Sequence, residues 1–436
     1  MENAAKKDPY ASSAKLYFPK CAFAYLISII TTGAYLAKLT TTIGISDGMT
    51  AILSSISSLA CFFQFAAIPL SHRSSSKVPV IILCTFNQLL YSFLYLIPFM
   101  GFPVAINSAI FFACILSSMI MSQMSGPLTL NWFLGMVSPE KRGAFSGINQ
   151  IVSHICGLTF SFTASIVADK FTEAGNLKGM FLTFSITILV LNILHFAVLF
   201  MAKEKPRTVT KEKSSMIADF KVLLKIKTLR KYLLFSIVYA IASATVNPFF
   251  GTYQIRELKL SMTQITIIST ITALTAILFL SIFGNYARRH SLTQTMKIGL
   301  PIIAFSYIFI VFCTPENGLI MFILYWIVYT FGCAAFSLGV DAILFEIVEE
   351  KYRTTTIAMK NIIAGPLAFL TTTALTPLLS YIQGNGNKIF GIKLYGQQLF
   401  AIITVIIMSI ACVLFFNFAR SHTPIRQYGE DAEDRI

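Results

Sequence analysis

The sequence predicts an all-α polytopic membrane protein whose twelve transmembrane helices form two six-helix, pseudo-symmetric halves. Three observations support this class: the composition is apolar, the apolar stretches are long enough to cross a membrane, and a polar motif occurs twice, half a chain apart. Hydrophobic residues make up 56% of the 436 residues and charged residues only 12%. Soluble domains are about one quarter charged, so this chain has too few charges to cover a water-facing surface.

Twelve apolar stretches approach or exceed the roughly 20 residues of helix that cross a ~30 Å hydrocarbon core. Short loops join them, except for a polar linker. The sequence therefore predicts an N-terminal six-helix half (1–202), a cytoplasmic linker (203–231) and a C-terminal six-helix half (232–436). The predicted helices 1 to 12 cover residues 20–42, 49–70, 78–100, 103–127, 144–168, 179–202, 232–253, 262–285, 293–313, 317–341, 355–382 and 397–419.

Lysine and arginine residues are concentrated on one side of the predicted membrane. With the N-terminus inside, the cytoplasmic side carries 27 of the 34 Lys and Arg residues and the opposite side carries 7. Because basic loops stay in the cytoplasm, we expect both termini to be cytoplasmic and the protein to lie in the plasma (inner) membrane. The same bias accounts for much of the net charge of +15, so the charge does not require nucleic acid as a partner.

A polar motif occurs in two predicted cytoplasmic turns. Residues 137–147 read VSPEKRGAFSG after helix 4, and residues 348–358 read VEEKYRTTTIA after helix 10. An offset of 211 residues places Arg142 on Arg353. The two turns agree in topological position as well as in residue type, which indicates an internal repeat.

A second, weaker pair of turns has the same spacing in the predicted topology. Residues 69–77 read PLSHRSSSK after helix 2 and contain Arg73, and residues 285–293 read NYARRHSLT after helix 8 and contain Arg289. Chance similarity of short basic turns is the alternative for this pair. Together the two pairs indicate a parallel repeat related by an axis along the membrane normal.

These turns resemble the cytoplasmic turns that carry sequence motifs in the major facilitator superfamily. With the six-plus-six arrangement of helices and the basic central loop, the resemblance covers nearly the whole chain. In that family the turn after helix 2 typically reads G-x-L-A-D-R-x-G-R-K. Here Leu70, Arg73 and Lys77 match this motif, while His72 stands in place of the aspartate. The signatures of drug antiporters, peptide transporters and sugar porters are absent, so the subfamily is not identified.

The resemblance implies an alternating-access transporter. Helices 1, 4, 7 and 10 would line a central cavity, and the cytoplasmic halves of helices 4, 5, 10 and 11 would close it from inside. A gate that opens to water needs polar and cationic groups, which lipid-facing helices do not carry cheaply. The alternative is that the repeated turns are ordinary cytoplasmic anchors.

Polar residues near the cytoplasmic ends of the helices are the candidates for the gate. Asp341 and Lys360 lie at similar depths, roughly 10–18 Å from the turn after helix 10, and we expect them to face each other. Asp341 is also the predicted proton-coupling carboxylate, whereas a purely structural pairing is the alternative. The predicted coupling or gate residues are Asp341, Lys360, Asn361, Asn131, Asn149, Gln150, Arg142, Arg353, Arg73 and Arg289.

Polar and aromatic residues on the expected cavity helices are the candidates for substrate binding. Pro248 lacks a backbone N–H and should kink helix 7, which frees a carbonyl group there. Tyrosine-rich faces suit a ligand with polar and apolar parts, although they also suit helix packing. The predicted substrate-binding residues are Tyr25, Tyr35, Asn107, Tyr239, Asn247, Tyr325, Trp326 and Tyr329.

We therefore expect a secondary active transporter that moves a small organic solute by alternating access, with coupling to protons as a hypothesis. The alternatives are a lipid or amphiphile flippase, an efflux carrier, or a transport-inactive receptor on the same scaffold. No catalytic motif or metal-ligand spacing is present, so we expect neither an enzyme nor a cofactor. The linker from Ser214 onward has an amphipathic pattern with interleaved lysines, which predicts binding to anionic inner-leaflet lipids.

Overall fold

The computed structural model describes residues 10–66, 70, 75–134, 136–137, 142–205, 216–349, 352–389 and 391–421. Among these residues, eleven helices are long and apolar enough to cross a membrane, and a bent pair of segments brings the number to twelve. These twelve spans, α1 to α12, follow the order of the twelve predicted helices. The predicted all-α membrane class is confirmed.

Most helices begin and end within five residues of the predicted bounds, but α2, α3 and α7 end six to ten residues before them and α4 ends seven residues after them. The first span, α1, has two segments, Tyr17–Thr31 and Gly33–Thr42, after a short helix at Ala11–Lys15. The other spans are α2 Asp47–Ala60, α3 Lys77–Leu94, α4 Val104–Leu134, α5 Arg142–Glu173, α6 Leu177–Met201, α7 Lys227–Val246, α8 Met262–Arg289, α9 Leu292–Val311, α10 Gly318–Ser337, α11 Arg353–Gly384 and α12 Gly396–Ser421.

Shorter elements extend or connect these spans. A 3₁₀ turn, Cys61–Ala66, prolongs α2, and another follows α3 at Ile97–Phe99. Beyond α7 the chain forms a 3₁₀ turn at Asn247–Phe249, one helical turn at Phe250–Thr252 and a π-helical turn at Tyr253–Glu257. The linker helix Met216–Leu223, the segment Ala342–Ile347 after α10 and the antiparallel strands β1 Lys388–Ile389 and β2 Ile392–Lys393 complete the elements.

The first helix is broken, although the sequence predicts one helix over residues 20–42. Its two segments meet at an angle of 42°. Thr32 is extended there, and Gly33 has a φ of +57°, a conformation that glycine adopts without steric penalty. The Thr32 hydroxyl donates to the Ser28 carbonyl oxygen at 2.8 Å, which provides a partner for a carbonyl at the break.

Contacts divide the chain into two compact units. The first unit contains Met1–Ile45 and Phe63–Glu212, and the second contains Ser46–Phe62 and Lys213–Ile436. The predicted halves follow the internal repeat of the sequence, whereas these units follow packing. The two divisions differ in the placement of α2, which packs within the second unit.

A polar seam joins α3 to α6 in the first unit. Gln88 Nε2 lies 2.8 Å from His195 Nδ1, and both side chains are buried. One turn further along, the hydroxyls of Ser92 and Ser185 are 2.9 Å apart. Because lipid offers no hydrogen-bonding partner, such groups are stable only when they satisfy one another.

In the second unit, two glycines bring α9 and α10 into direct backbone contact. A Cβ atom on Gly299 would lie 2.5 Å from the carbonyl oxygen of Gly332 and 2.9 Å from the backbone nitrogen of Phe336. Small residues at helix interfaces allow this close approach in membranes, where packing rather than water exclusion holds helices together. This pair of helices positions much of the candidate site.

Candidate functional site

A group of aromatic side chains from α9 and α10 gathers beside the unwound end of α7. The rings of Tyr325 and Tyr329 are stacked, with centroids 5.3 Å apart, and the ring of Tyr307 lies 5.4 Å from that of Tyr325. Trp326 stands edge-on to Tyr329 at 5.4 Å. The Tyr307 hydroxyl donates to Asn247 Oδ1 at 3.1 Å. We call these five residues the tyrosine cluster.

The local sequence explains why Asn247 is available to this cluster. Pro248 cannot continue the hydrogen-bonding pattern of α7, so the helix ends at Val246 and a 3₁₀ turn follows. The predicted distortion of helix 7 at the proline is therefore present. At this turn the Asn247 side chain meets α9 through its contact with Tyr307.

Tyr239, which lies eight residues before Asn247 on α7, is next to the same cluster. Its ring stacks on that of Phe336 with centroids 4.6 Å apart, and its side chain interacts with those of Ser243 and Tyr329. All five predicted substrate-binding residues of the second half thus lie in or beside one cluster. Tyr307 was missed by the sequence analysis, because nothing distinguishes it from other aromatic residues of an apolar helix outside the expected cavity set.

The cluster offers aromatic faces, hydroxyl groups and one amide, and none of its side chains is ionised near neutral pH. Tyr307 and Tyr325 are fully buried, whereas Asn247, Trp326 and Tyr329 are half-buried. Amphipathic aromatic rings with a few fixed polar groups are typical of sites for small organic ligands.

The candidates of the first unit lie in three different surroundings. Tyr25 is 37% exposed and stands edge-on to His154 at 5.7 Å. Tyr35 lies on the other segment of α1, where it is buried against Phe184 at 5.6 Å. Asn107 lies in the first turn of α4, and its Nδ2 donates to the backbone of the preceding loop.

The surroundings of Asn107 differ from those expected for a residue of a central cavity. It lines a pocket of about 300 Å³ together with Lys178 and Phe181 from the start of α6. Its side-chain nitrogen donates to the Phe102 carbonyl oxygen at 3.1 Å, so the amide stabilises the turn that enters α4.

At the opposite ends of the helices, the structure places the two predicted gate charges in contact. Lys360 Nζ lies 2.5 Å from Asp341 Oδ1, and the side chains are 13% and 49% exposed, respectively. The chain unwinds between α10 and the segment Ala342–Ile347, which brings Asp341 to the point of the break. The Tyr232 hydroxyl of α7 donates to the Val340 carbonyl oxygen at 2.5 Å and so satisfies an acceptor that the break exposes.

The other gate candidates are dispersed. Arg353 begins α11 and is half-buried, as is Asn361 two turns later. On α5, Asn149 is half-buried and Gln150 is exposed, and Arg289 is exposed at the end of α8. Arg73 lies outside the described residues, and the side chains of Asn131 and Arg142, on α4 and α5, are also outside the described part of the chain.

A second charged network, which the sequence analysis missed, lies at the other ends of the helices. Asp47 Oδ1 lies 3.0 Å from Arg256 Nε, and Gln383 Nε2 donates to Asp47 Oδ2 at 2.7 Å. The same Gln383 nitrogen donates to Glu257 Oε1 at 3.1 Å, and Asn387 Nδ2 donates to Glu257 Oε2 at 3.1 Å. We call these five residues the Asp47 network. In sequence, Asp47 resembles an ordinary acidic residue in the first turn of a helix, which gave no signal of burial.

An acidic group also occupies the N-terminal end of α3, next to the turn whose family motif lacks its aspartate. Glu204 accepts hydrogen bonds from the backbone nitrogens of Ser76 at 2.7 Å and Lys77 at 3.1 Å. A carboxylate at a helix N-terminus satisfies free N–H groups and interacts favourably with the helix dipole. The residue comes from the start of the linker, so the turn motif alone did not indicate it.

Comparisons with known proteins agree with this architecture. Residues 232–434 match the family model described as Major Facilitator Superfamily. No curated protein matches the chain in sequence.

Solved structures of transporters share the fold over nearly the whole chain at low sequence identity. A nucleoside transporter, NupG, has a TM-score of 0.69 at 14% identity, with 94% of this chain and 100% of that chain covered. A D-xylose–proton symporter has a TM-score of 0.72 at 13% identity, with 95% and 100% covered. A bacterial homologue of the human lysosomal transporter Spinster has a TM-score of 0.67 at 16% identity, with 95% and 98% covered.

The structural similarity shows the fold, and the low sequence identities leave the substrate open. The family model adds a match in sequence over the second half of the chain. The resemblance seen in the turn motifs is thus supported in sequence by the Major Facilitator Superfamily model over residues 232–434, and the solved transporter structures share the fold over nearly the whole chain; the subfamily is not identified.

Proposed function

We propose that the protein is a secondary active transporter that moves a small organic solute by alternating access, and that the tyrosine cluster forms part of the solute site. The observation that carries this proposal is the convergence of Asn247, Tyr307 and the stacked rings of Tyr325 and Tyr329 at the unwound end of α7. A helix interruption at membrane depth is tolerated where it is buried in protein or lines a cavity, and transporters use such interruptions to bind substrates.

The chemistry of the cluster favours an uncharged or anionic solute with both polar and apolar parts. The cluster has no acidic group that would attract a cation, and its tyrosines offer hydroxyl groups beside aromatic faces. The nucleoside transporter and the D-xylose–proton symporter that share the fold support solutes of this size as the first to test.

A thermal-shift screen of the purified protein against nucleosides, pentoses and organic acids is the first experiment. For a compound that raises the melting temperature, we expect Asn247→Ala to weaken binding about tenfold, because a lost hydrogen bond in a buried site is worth roughly 1–3 kcal/mol. We expect Tyr329→Ala to weaken binding by a factor of about two to ten, because the loss of an aromatic contact costs about 0.5–1.5 kcal/mol. Isothermal titration measures both effects.

Tyr381→Ala is the matched control, because that tyrosine lies on α11 with 67% of its surface exposed and is not part of the cluster. Equal loss of binding in Tyr381→Ala and Tyr329→Ala would contradict the proposed site. Binding without counterflow in proteoliposomes would contradict the transporter and favour a transport-inactive receptor.

We further propose that Asp341 and Lys360 form the cytoplasmic gate, with both termini in the cytoplasm, and that Asp341 couples transport to protons. The contact of 2.5 Å between their charged atoms supports this pairing, and the half-exposed carboxylate has access to water. In vesicles, Asp341→Asn is expected to abolish uptake driven by a pH gradient, whereas solute exchange should continue at a reduced rate, because exchange requires no net proton movement but still depends on the gate contact.

Glu346→Gln is the control for this experiment, since Glu346 lies five residues after Asp341 on the short segment that follows α10. It should retain pH-driven uptake. Unchanged pH-driven uptake in Asp341→Asn would contradict the role of Asp341 in coupling.

We also propose that the linker helix and the start of α7 bind anionic lipids of the inner leaflet. Lys221, Lys225, Lys227 and Arg230 are exposed there, next to the exposed apolar side chain of Leu224. Each such cation near an anionic surface contributes about 1 kcal/mol. These exposed cations would anchor the linker to the membrane surface, and they take no part in the proposed solute site.

A further inference from the structure

We propose that Asp47 is a proton-binding residue of the transport cycle, and that its protonation releases the Asp47 network so that α2 can separate from α7 and α11. The proposal rests on the proposed alternating-access function and assigns a role to a carboxylate outside the tyrosine cluster and the cytoplasmic gate. Asp47 begins α2, Arg256 follows α7, and Gln383 lies at the end of α11. Because successive spans alternate in direction, these three residues lie at the membrane face opposite Asp341 and Lys360.

The first step of the argument is the burial of the Asp47 charge. The Asp47 side chain is fully buried at 0% exposure, and its cationic partner Arg256 is 33% exposed. A buried carboxylate is stable in its charged form only while cations and hydrogen-bond donors surround it. Arg256 supplies the cation, and Gln383 supplies a donor to the second oxygen at 2.7 Å.

The second step is the link to a neighbouring carboxylate. Gln383 donates through one nitrogen to both Asp47 and Glu257, so two acidic groups share one amide. The charged groups that contact or adjoin Asp47 from the packed elements are Arg256 and Glu257 from the π-helical turn that follows α7, while α11 and the residues after it contribute the neutral Gln383 and Asn387. The network thus has two carboxylates and one guanidinium, and one added proton balances its charge.

The third step is the seam between α2 and α11, which the network closes. The Thr376 hydroxyl donates to the Gly48 carbonyl oxygen at 3.3 Å, and a Cβ atom on Gly48 would collide with Thr376. Further along, a Cβ atom on Gly365 would collide with the carbonyl oxygen of Ser58. The two helices approach closely at these glycines, and separation of α2 from α11 at this end also requires the Asp47 network to break.

Breaking the network while Asp47 is charged would separate a buried carboxylate from its cation. Removal of one partner from a buried ion pair is strongly destabilising, because the remaining charge is left buried without compensation. When Asp47 takes up a proton from the adjoining aqueous phase, one carboxylate oxygen becomes a neutral hydroxyl, and the attraction to Arg256 falls. Acidification of this face therefore favours separation of α2 from α7 and α11.

Alternating access makes this property useful. By sequence α2 belongs to the first repeat, whereas Arg256, Glu257 and Gln383 belong to the second repeat. A proton that releases α2 on one face, together with the Asp341–Lys360 pair on the other face, would couple opening to the proton gradient. Asp341 is 49% exposed, so its charge depends less on the conformation than that of the fully buried Asp47.

The test is the accessibility of a cysteine placed in the seam. Thr376→Cys is introduced into the full-length protein with its eight native cysteines replaced by serine, and a membrane-impermeant maleimide is the probe. Because maleimide reacts with the thiolate, each labelling rate is divided by that of a reference variant, Ala174→Cys, in the exposed turn between α5 and α6 at the same pH. With Asp47 present, we expect this relative labelling rate to rise about tenfold on acidification. In the Asp47→Asn background, we expect a high relative labelling rate that does not change with pH.

Two further variants keep the test decisive if Asp47→Asn is produced in low yield. Glu316→Gln should retain the pH response, since Glu316 is an exposed carboxylate in the turn between α9 and α10 and is not part of the Asp47 network. Arg256→Gln should move the midpoint of the response to higher pH, because the carboxylate has lost the cation that favours its charged form. Slow labelling of Asp47→Asn with the pH response of the parent, or an unshifted midpoint in Arg256→Gln, would overturn the proposal.

Infrared spectroscopy supplies a readout that is independent of labelling. Acidification should produce the carbonyl-stretching band of the protonated Asp47 carboxyl group. This band should be missing in Asp47→Asn and retained in Asp341→Asn. The same band in the parent and in Asp47→Asn would contradict proton binding at Asp47. Neither experiment uses the solute, so failure to find a transported compound leaves both outcomes interpretable.

Discussion

Gly332→Val is expected to produce the largest loss of stability of any single substitution considered for this protein. A Cβ atom at this position would lie 2.8 Å from the Gly299 carbonyl oxygen, 2.8 Å from Ile303 Cγ1 and 2.9 Å from the Ile303 backbone nitrogen. Two of these atoms belong to the backbone of α9 and cannot move without displacing the helix. Overpacking of a close interface costs about 1–3 kcal/mol or more, and valine adds two further carbon atoms.

The effect should extend to the solute site, because α9 carries Tyr307 while α10 carries Tyr325 and Tyr329. We expect Gly332→Val to lower the melting temperature in detergent and to abolish the ligand-induced shift. Size-exclusion chromatography and thermal unfolding measure the first effect.

Gly284→Val is the matched control for the packing argument. Gly284 also lies within a membrane helix, α8, but among the described residues no atom beyond its chain neighbours and the nearby backbone of α8 lies within 4 Å of a Cβ built on it. Both substitutions carry the same change in helix propensity, so their difference isolates the contact with α9. Equal losses of melting temperature in the two variants would contradict the role of the Gly299–Gly332 contact.

Lys360→Met is expected to reduce transport about tenfold or more. We expect the lost contact with Asp341 to be worth at least about 1.4 kcal/mol, and this energy corresponds to a factor of about ten. The Lys360 side chain is only 13% exposed and spans the distance to Asp341 within the protein. Counterflow in proteoliposomes measures the effect. The exchanged pair, Asp341→Lys with Lys360→Asp, should recover part of the activity, since the attraction is restored with the charges reversed.

A double-mutant cycle separates the pair from the general effect of removing a lysine. Lys297→Met is the control, because Lys297 lies on α9 and is likewise half-buried. Additive losses in Lys360→Met, Asp341→Asn and the double variant would show that the two charges act independently, contrary to the proposed gate.

The pairing of Asp341 with Lys360 was predictable because both residues adjoin one short turn. Two helices that leave the same turn have their depths fixed by the rise of 1.5 Å per residue, so counting from Arg353 located both side chains. The grouping of Tyr325, Trp326 and Tyr329 on one helix was predictable for the same local reason. Tyr307 was not, since it reaches the cluster only through the packing of α9 on α10 and α7.

The Asp47 network could not be predicted from the sequence. Asp47, Arg256 and Gln383 are separated by more than a hundred residues each, and every one of them lies at the end of a span, where charged residues are common. No pattern in the sequence distinguishes an acid at a helix start that faces water from one that is fully buried against two other helices. The break in α1 likewise depends on Gly33, but a glycine within an apolar stretch is compatible with a continuous helix.

The sequence by itself indicated a chain that spans the membrane about twelve times, as the described residues confirm, and it predicted how the charges divide between the two sides and that the polar turns repeat. Each of these properties is imposed on a segment by lipid and water directly, so composition and length decide it. Only the tertiary structure decided which faces of the helices meet, and hence which tyrosines form the cluster and which charges are paired. Lipid is as apolar as the interior of the bundle, so hydrophobicity does not distinguish a lipid-facing side chain from a buried one, and the choice of neighbours depends on close packing and on polar contacts between distant segments.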